Sequence, residues 1–109
     1  MKNQVNILGT MYRIEQRSSK NDEQLEGLSG YCNVHKRLIV IRTDYEFEPE
    51  IAMLKEVLRH EIVHAFFYES GLWDSSNDTA AWATNEEMTD WIAIQGLKLY
   101  KAWEEAEAV

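Results

Sequence analysis

The sequence predicts an α+β fold in which a small, mostly antiparallel β-sheet packs against two long helices. β-like segments fill the chain before Pro49, the single proline among 109 residues, and helical periodicity fills the chain after it. Hydrophobic residues make up 45% of the sequence, enough for the core of one domain. We therefore expect one domain spanning residues 1–109.

Three segments of the N-terminal half are predicted as strands. The first contains Gly9, where we expect the strand to be interrupted. The third reads LIVIRT, and its β-branched, apolar character is typical of a central strand. A turn over residues 33–36 joins the second strand to the third, and a polar loop over residues 18–24 precedes them. The predicted strands cover residues 5–14, 30–34 and 38–43.

The first long helix is predicted over roughly residues 50–70, where apolar side chains recur at helical spacing. Pro49 suits the first turn of this helix, because the amide N–H that proline lacks has no helical partner there. Gly71 is placed to end the helix in the left-handed conformation.

The second long helix is predicted to begin at a capping box and to extend to about residue 104. In this box the side chains of Thr84 and Glu87 would satisfy free amide groups of the first helical turn. Between the two helices we expect a polar loop over residues 74–78, followed by a short helical turn over residues 79–82.

A His-Glu-x-x-His pattern lies in the middle of the first predicted helix, as His60, Glu61 and His64. Residues four apart share one helix face, so both imidazoles point to one place. Their nitrogens can then share a Zn²⁺ ion at about 2.0–2.1 Å. Glu61 lies about 100° around the helix from His60. It can reach a water molecule held by the metal without ligating the metal, so we expect Glu61 to be the general base.

A catalytic zinc ion usually has a third protein ligand, and this sequence has no histidine after His64. His35 is the remaining histidine, and it lies in a predicted turn. A carboxylate of the second helix is the better candidate. Glu86 borders the buried arc of that helix and is the predicted ligand, while Glu87 falls on the outer side and is the fallback. Asp90, one turn after Glu86, is placed to accept the other ring N–H of a ligand histidine.

The charge of the chain argues against two classes of partner. The formal net charge is −8, whereas nucleic-acid binding and anionic membranes both favour basic surfaces. No run approaches 18 apolar residues, and the N-terminus lacks the apolar core of a signal peptide. We therefore predict a cytoplasmic protein. Cys32 is the single cysteine, which leaves no internal disulfide.

Two segments together resemble a known family. HEIVHAF, beginning at His60, and NEEMTD, ending at Asp90, resemble the two motifs of the gluzincin metallopeptidases, the thermolysin-like family. The resemblance implies a zincin-like fold, zinc held by His60, His64 and Glu86, and hydrolysis of peptide bonds in a peptide or protein substrate. It assigns Asp90 to the support of a ligand histidine. Small single-domain minigluzincins, and short proteins of bacterial and prophage genomes, are similar in layout.

One part of the gluzincin pattern has no counterpart in this sequence. Full-sized members stabilise the oxyanion with a histidine or tyrosine from a C-terminal domain. Several tyrosines of this chain are alternatives for that role, and the sequence does not choose among them. They are Tyr31, Tyr45 and Tyr68.

Two other functions stay open from the sequence. In the first, the metal is structural and the chain is a zinc-binding module that contacts a protein through its acidic surface or through Trp73, Trp82 and Trp91. In the second, the chain is a latent peptidase whose acidic C-terminal residues, 102–109, cover the cleft. A closed metal coordination sphere favours the module, and an open position favours an enzyme.

Overall fold

The computed structural model describes residues 1–75, 85–107 and 109 and confirms the α+β class. Four strands form one sheet, and two long helices follow them. A 3₁₀ turn, Glu23–Leu25, interrupts the predicted polar loop. The elements are β1 (Gln4–Ile7), β2 (Thr10–Arg17), β3 (Gly30–Asn33), β4 (Leu38–Arg42), α1 (Ile51–Glu69), α2 (Leu72–Ser75) and α3 (Glu86–Glu105).

The sheet is mixed, with the strand order β1-β2-β4-β3. Both outer pairings are antiparallel, as expected, but the inner strands β2 and β4 pair in parallel. The LIVIRT segment forms β4, which lies between β2 and β3 and confirms the prediction of a central strand. Its side chains are buried on both faces: Ile39 and Ile41 contact the cluster below α1, and Leu38 and Val40 contact Leu25 on the opposite face.

The first predicted strand is in fact a hairpin. Leu8 and Gly9 both have left-handed backbones, with φ of 51° and 96°, and they reverse the chain between β1 and β2. The Asn6 side chain accepts a hydrogen bond from the Gly9 amide at 2.7 Å. Two positive φ angles in a two-residue turn match the right-handed twist of the flanking strands. The interruption expected at Gly9 is therefore a complete reversal.

Helix α1 begins two residues after Pro49. The proline was predicted inside the first helical turn, but Glu50 is extended (φ −71°, ψ 146°) and serves as the N-cap. Pro49 therefore lies outside the helix. At the other end Gly71 has φ +81°, which confirms the left-handed residue predicted there, and its amide donates to the Tyr68 carbonyl.

Helix α3 is capped by Asn85. The Asn85 side chain accepts a hydrogen bond from the Met88 amide at 2.7 Å, and its carbonyl accepts one from the Thr89 hydroxyl at 2.8 Å. A side-chain oxygen at the N-cap satisfies an amide that has no helical partner. The predicted capping box includes Thr84, which lies outside the described residues, as does the predicted turn over 79–82. The predicted loop over 74–78 is wrong at its start, because Ser75 ends α2.

Helix α1 lies between the sheet and α3. One side of α1 covers β1, β3 and β4, and Ala65 is fully buried against the sheet. The other side contacts α3, where Thr89 and Ala93 are buried and the Arg59 guanidinium donates to the Ala93 carbonyl at 2.6 Å. α3 therefore packs on the side of α1 that faces away from the sheet. None of the helices in the described residues is long and apolar enough to cross a membrane.

Candidate metal centre

Helix α1 presents both histidines of the pattern to one point. The Nε2 atoms of His60 and His64 are 3.1 Å apart, and each side chain is 16% exposed. The four-residue spacing accounts for this proximity without any tertiary constraint, because it brings two side chains onto one helix face. This half of the site is therefore built by a single continuous helix.

Helix α3 adds two carboxylates to the same point. Glu86 places one carboxylate oxygen 2.9 Å from His60 Nε2 and the other 3.1 Å from His64 Nε2. Asp90 places an oxygen 2.8 Å from His60 Nδ1. The structure thus brings together Glu86 and Asp90 with the two histidines, as predicted. Glu87 is exposed and does not line the cleft, so the fallback ligand is not part of this group.

The group around His60 contains more hydrogen-bond acceptors than donors. When His60 is neutral and donates its Nδ1 proton to Asp90, its Nε2 carries a lone pair. That lone pair faces a Glu86 oxygen at 2.9 Å and His64 Nε2 at 3.1 Å. Converging lone pairs repel one another unless a positive charge lies among them. A second proton on one ring, or a metal ion, supplies that charge.

The spacing of these atoms fits a zinc ion. Ligand atoms at about 2.0–2.1 Å from a tetrahedral zinc are roughly 3.3 Å from one another. The three separations among His60 Nε2, His64 Nε2 and the Glu86 oxygens are 2.9, 3.1 and 3.1 Å. Two imidazole nitrogens with one carboxylate are also a donor set that zinc accepts in catalytic sites.

Glu61 belongs to a second possible grouping. Ligand atoms of His60, Glu61 and His64 lie within 4.8 Å of one another and can hold a metal ion of unspecified identity. We favour Glu86 as the third ligand, because its oxygens are about 3 Å from both rings. Glu61 instead faces β3, where one of its oxygens is 3.5 Å from the position that a Gly30 Cβ would occupy.

The Glu61 side chain is buried next to the two histidines, with only 6% of the residue exposed. Burial raises the pKa of its carboxyl group to about 7, against the opposing effect of His60 and with added repulsion from Glu86 and Asp90. A carboxyl group with a pKa near neutrality can both accept and return a proton. The position and the pKa of Glu61 therefore suit the general base predicted from the sequence.

The two histidines differ in their preference for charge. Burial disfavours the charged form of His60, but the hydrogen bond that His60 donates to Asp90 and the charges of Glu61 and Glu86 outweigh it, so the pKa of His60 is raised. Burial lowers the pKa of His64, and Glu86 only partly compensates. The asymmetry arises because Asp90 contacts His60 alone. Neutral imidazole is the form that ligates a metal.

A cleft of about 880 Å³ contains these residues. One wall is α1, and the opposite wall is the segment from Leu28 to Cys32, which includes most of β3. Among the described strands β3 pairs with β4 alone, so its other side is the edge of the described sheet. Gly30 allows this wall to approach closely, because a Cβ there would lie 2.7 Å from the Val40 carbonyl and 3.0 Å from Val57. An exposed strand edge therefore borders the candidate metal centre.

The three tyrosines proposed for the oxyanion differ in position. Tyr31 has its hydroxyl held by Asp22 at 2.5 Å and by Arg17 at 3.2 Å, on the sheet face that α1 does not cover. Tyr45 stacks with Phe47 and has a buried hydroxyl with no partner among the described residues. The ring of Tyr68 contacts the ring of Trp73, which lines the cleft. The Tyr31 hydroxyl is therefore already engaged by Asp22 and Arg17, although residue 31 lines the cleft, and the choice among the three tyrosines stays a prediction.

The remaining predicted residues have separate positions. Trp73 lines the cleft, and Trp91 is 55% exposed on α3. Trp82 lies outside the described residues. His35 is exposed in the turn before β4, with its ring 5.9 Å from Tyr68, so it is not part of the metal group. Among the described residues, none after Asp90 lines the cleft, which gives no support to a C-terminal cover.

Several residues of the cleft were not predicted as site residues, among them Gly30, Glu56 and Trp73. Gly30 lies inside a predicted strand, where a glycine often marks a close approach of two backbones. Glu56 lies one helical turn before His60, and this spacing placed it on the site face. Trp73 had no such signal, because its position depends on how α2 turns back towards α1.

Comparison of the chain with models of known families, with curated protein sequences and with solved structures finds no match.

Proposed function

We propose that the protein is a zinc-dependent metallopeptidase with a minimal zincin-like fold of the gluzincin type. The observation that carries this proposal is the convergence of three lone-pair-bearing groups, His60, His64 and Glu86, within about 3 Å, with the buried Glu61 beside them. A metal ion can satisfy this grouping, and its donor set suits zinc. The substrate class is an extended peptide or an unstructured protein segment.

In the proposed reaction each residue of the site has a separate role. His60, His64 and Glu86 would hold the zinc ion, which acts as a Lewis acid that polarises a carbonyl group and makes water more acidic. Glu61 accepts a proton from the attacking water and returns it to the leaving amine. Its buried position beside both histidines places it within reach of such a water molecule. Asp90 fixes the His60 ring in the tautomer with Nε2 free.

The edge of β3 provides a means of holding the substrate. Its outward-facing amide and carbonyl groups can pair with an extended peptide, which then lies along the cleft beside the metal centre. Backbone pairing positions the scissile bond without demanding a particular sequence, because every peptide has the same backbone groups. Close approach at Gly30 keeps this edge within reach of Glu61.

Three substitutions test the proposal. We expect Glu61→Gln to retain one zinc per chain and to lose hydrolysis of a peptide library, because glutamine cannot accept the proton. We expect His64→Ala to lose zinc. His35→Ala is the matched control, since it removes an exposed imidazole outside the group and should leave both properties unchanged. Metal analysis and library cleavage are the measurements, and cleavage by Glu61→Gln at the parental rate would refute the role of Glu61.

A zinc-binding module without catalysis is the second candidate. Its support is the grouping of Glu61 with both histidines within 4.8 Å. If Glu61 and Glu86 both ligate the ion, four protein ligands close its coordination sphere and leave no position for chemistry. The same variant separates the two candidates, because Glu61→Gln would then lose zinc affinity instead of losing hydrolysis alone.

A further inference from the structure

Glu56 is a carboxylate of the cleft that the metal centre does not use. Four carboxylates line the cleft, and the described lining residues include no lysine or arginine. Glu86 and Asp90 contact the histidines, and Glu61 is buried next to them. Within residues 1–75, 85–107 and 109, no hydrogen bond or ion pair engages Glu56, which is half-buried. Its charge is therefore available to a ligand.

Apolar side chains line part of the cleft that contains Glu56. Leu28, Met53 and Val57 line the same cleft, and Leu28 is 47% exposed. A long basic side chain matches such a surface, because its methylene groups cover apolar side chains while its charged end reaches a carboxylate. A neutral side chain would bury the same apolar area and leave Glu56 without a partner. An acidic side chain would be repelled.

The distance along α1 gives the position of this contact in a substrate. Glu56 precedes His60 by four residues, which is about 6 Å along a helix. An extended peptide advances roughly 3.3 Å per residue, so about two residues cover that distance. Resting on the proposed peptidase function, we propose that Glu56 selects substrates with a lysine or arginine side chain within about two residues of the cleaved bond.

The experiment compares end-capped peptides that differ at one position in lysine, arginine, norleucine or glutamate. Acetylated and amidated ends remove the terminal charges, so a preference can come only from the side chain. Cleavage is measured with the zinc-loaded parent protein, and binding with the Glu61→Gln variant by fluorescence anisotropy. Both measurements are repeated with Glu56→Gln added, and with Glu48→Gln added as the control, which removes one exposed acid outside the cleft.

We expect the basic peptides to have kcat/KM and affinity roughly fivefold above those of the norleucine peptide, the upper range for a partly exposed ion pair. Glu56→Gln should abolish this preference and Glu48→Gln should not, while Glu56→Lys should shift it to the glutamate peptide. The inference is overturned if the parent protein shows no preference for the basic peptides, or if that preference survives Glu56→Gln. It is also overturned if Glu48→Gln reduces the preference as much as Glu56→Gln does. A binding preference that depends on Glu56 without any cleavage refutes the peptidase function and the selection of a cleaved bond, and retains only the contact of Glu56 with a basic side chain. Peptides that neither bind nor react refute both.

Discussion

Replacing Gly30 with alanine tests whether the wall of the cleft is as close to α1 as the structure shows. The added Cβ would lie 2.7 Å from the Val40 carbonyl oxygen and 3.0 Å from Val57, both below the 3.4 Å at which ordinary contact begins. Val40 is fully buried in the central strand β4, so its carbonyl cannot move away freely. Displacement of β3 is the remaining response. Overpacking of this kind costs about 1–3 kcal/mol of unfolding free energy.

The assay is thermal unfolding of the parent, Gly30→Ala and Gly96→Ala. We expect Gly30→Ala to lower Tm by roughly 4–8 °C for each kcal/mol lost. Gly96 lies inside α3 with nothing within 4 Å of an added Cβ, so alanine there should raise the unfolding free energy by about 0.5–1 kcal/mol. The added methyl group should thus lower the unfolding free energy at position 30 and raise it at position 96. A Gly30→Ala protein as stable as the parent would show that residue 30 is less tightly packed against Val40 of β4 and Val57 of α1 than the structure places it.

Two further predictions concern carboxylates outside the proposed ligand set. Asp90→Ala should weaken zinc binding by about 10–100-fold, because His60 loses the acceptor that orients its ring. Competition with a chromophoric chelator measures this, with the exposed Glu87→Ala as control, and equal affinities in both variants would contradict it. The hydrogen bonds that Asp44 accepts from the Ser19 hydroxyl and amide hold the pKa of Asp44 well below its usual range. The folded protein then binds this proton more weakly than the unfolded chain. The stabilisation from Asp44 is therefore present above about pH 4 and is lost as the pH falls further. Asp44→Asn should flatten this acid dependence in urea unfolding measured at pH 7 and pH 3, and an unchanged pH dependence would refute the assignment.

Residue spacing along the sequence was enough to predict the half of the site that one helix builds. His60 and His64 point together because a helix places every fourth residue on one face, whatever surrounds it. Glu86 and Asp90 were found by the same periodicity applied to the second helix. The geometry agrees with those placements, although the roles of the four residues towards a metal stay predictions.

Features that depend on contacts between distant segments were not predictable in this way. The parallel pairing of β2 with β4 joins segments that β3 separates along the chain, and no local feature of either strand indicates which strand it pairs with. The left-handed Leu8 has a conformation that leucine rarely adopts, so its own preference did not indicate the hairpin. The hydrogen bonds of the Tyr31 hydroxyl with Asp22 and Arg17 likewise join separate segments, so the sequence did not indicate them.

The sequence alone determined the helix that carries the two histidines, the strand that fills the core and the acids able to meet those histidines. These depend on periodicities of 3.6 and 2 residues, which are properties of the backbone itself. Only the tertiary structure decided that a sheet edge with Gly30 borders the metal centre and that Glu56, which has no partner among the described residues, lies in the same cleft. Both follow from the way α1 rests on the sheet, and that packing minimises free energy over the whole chain rather than over any segment of it.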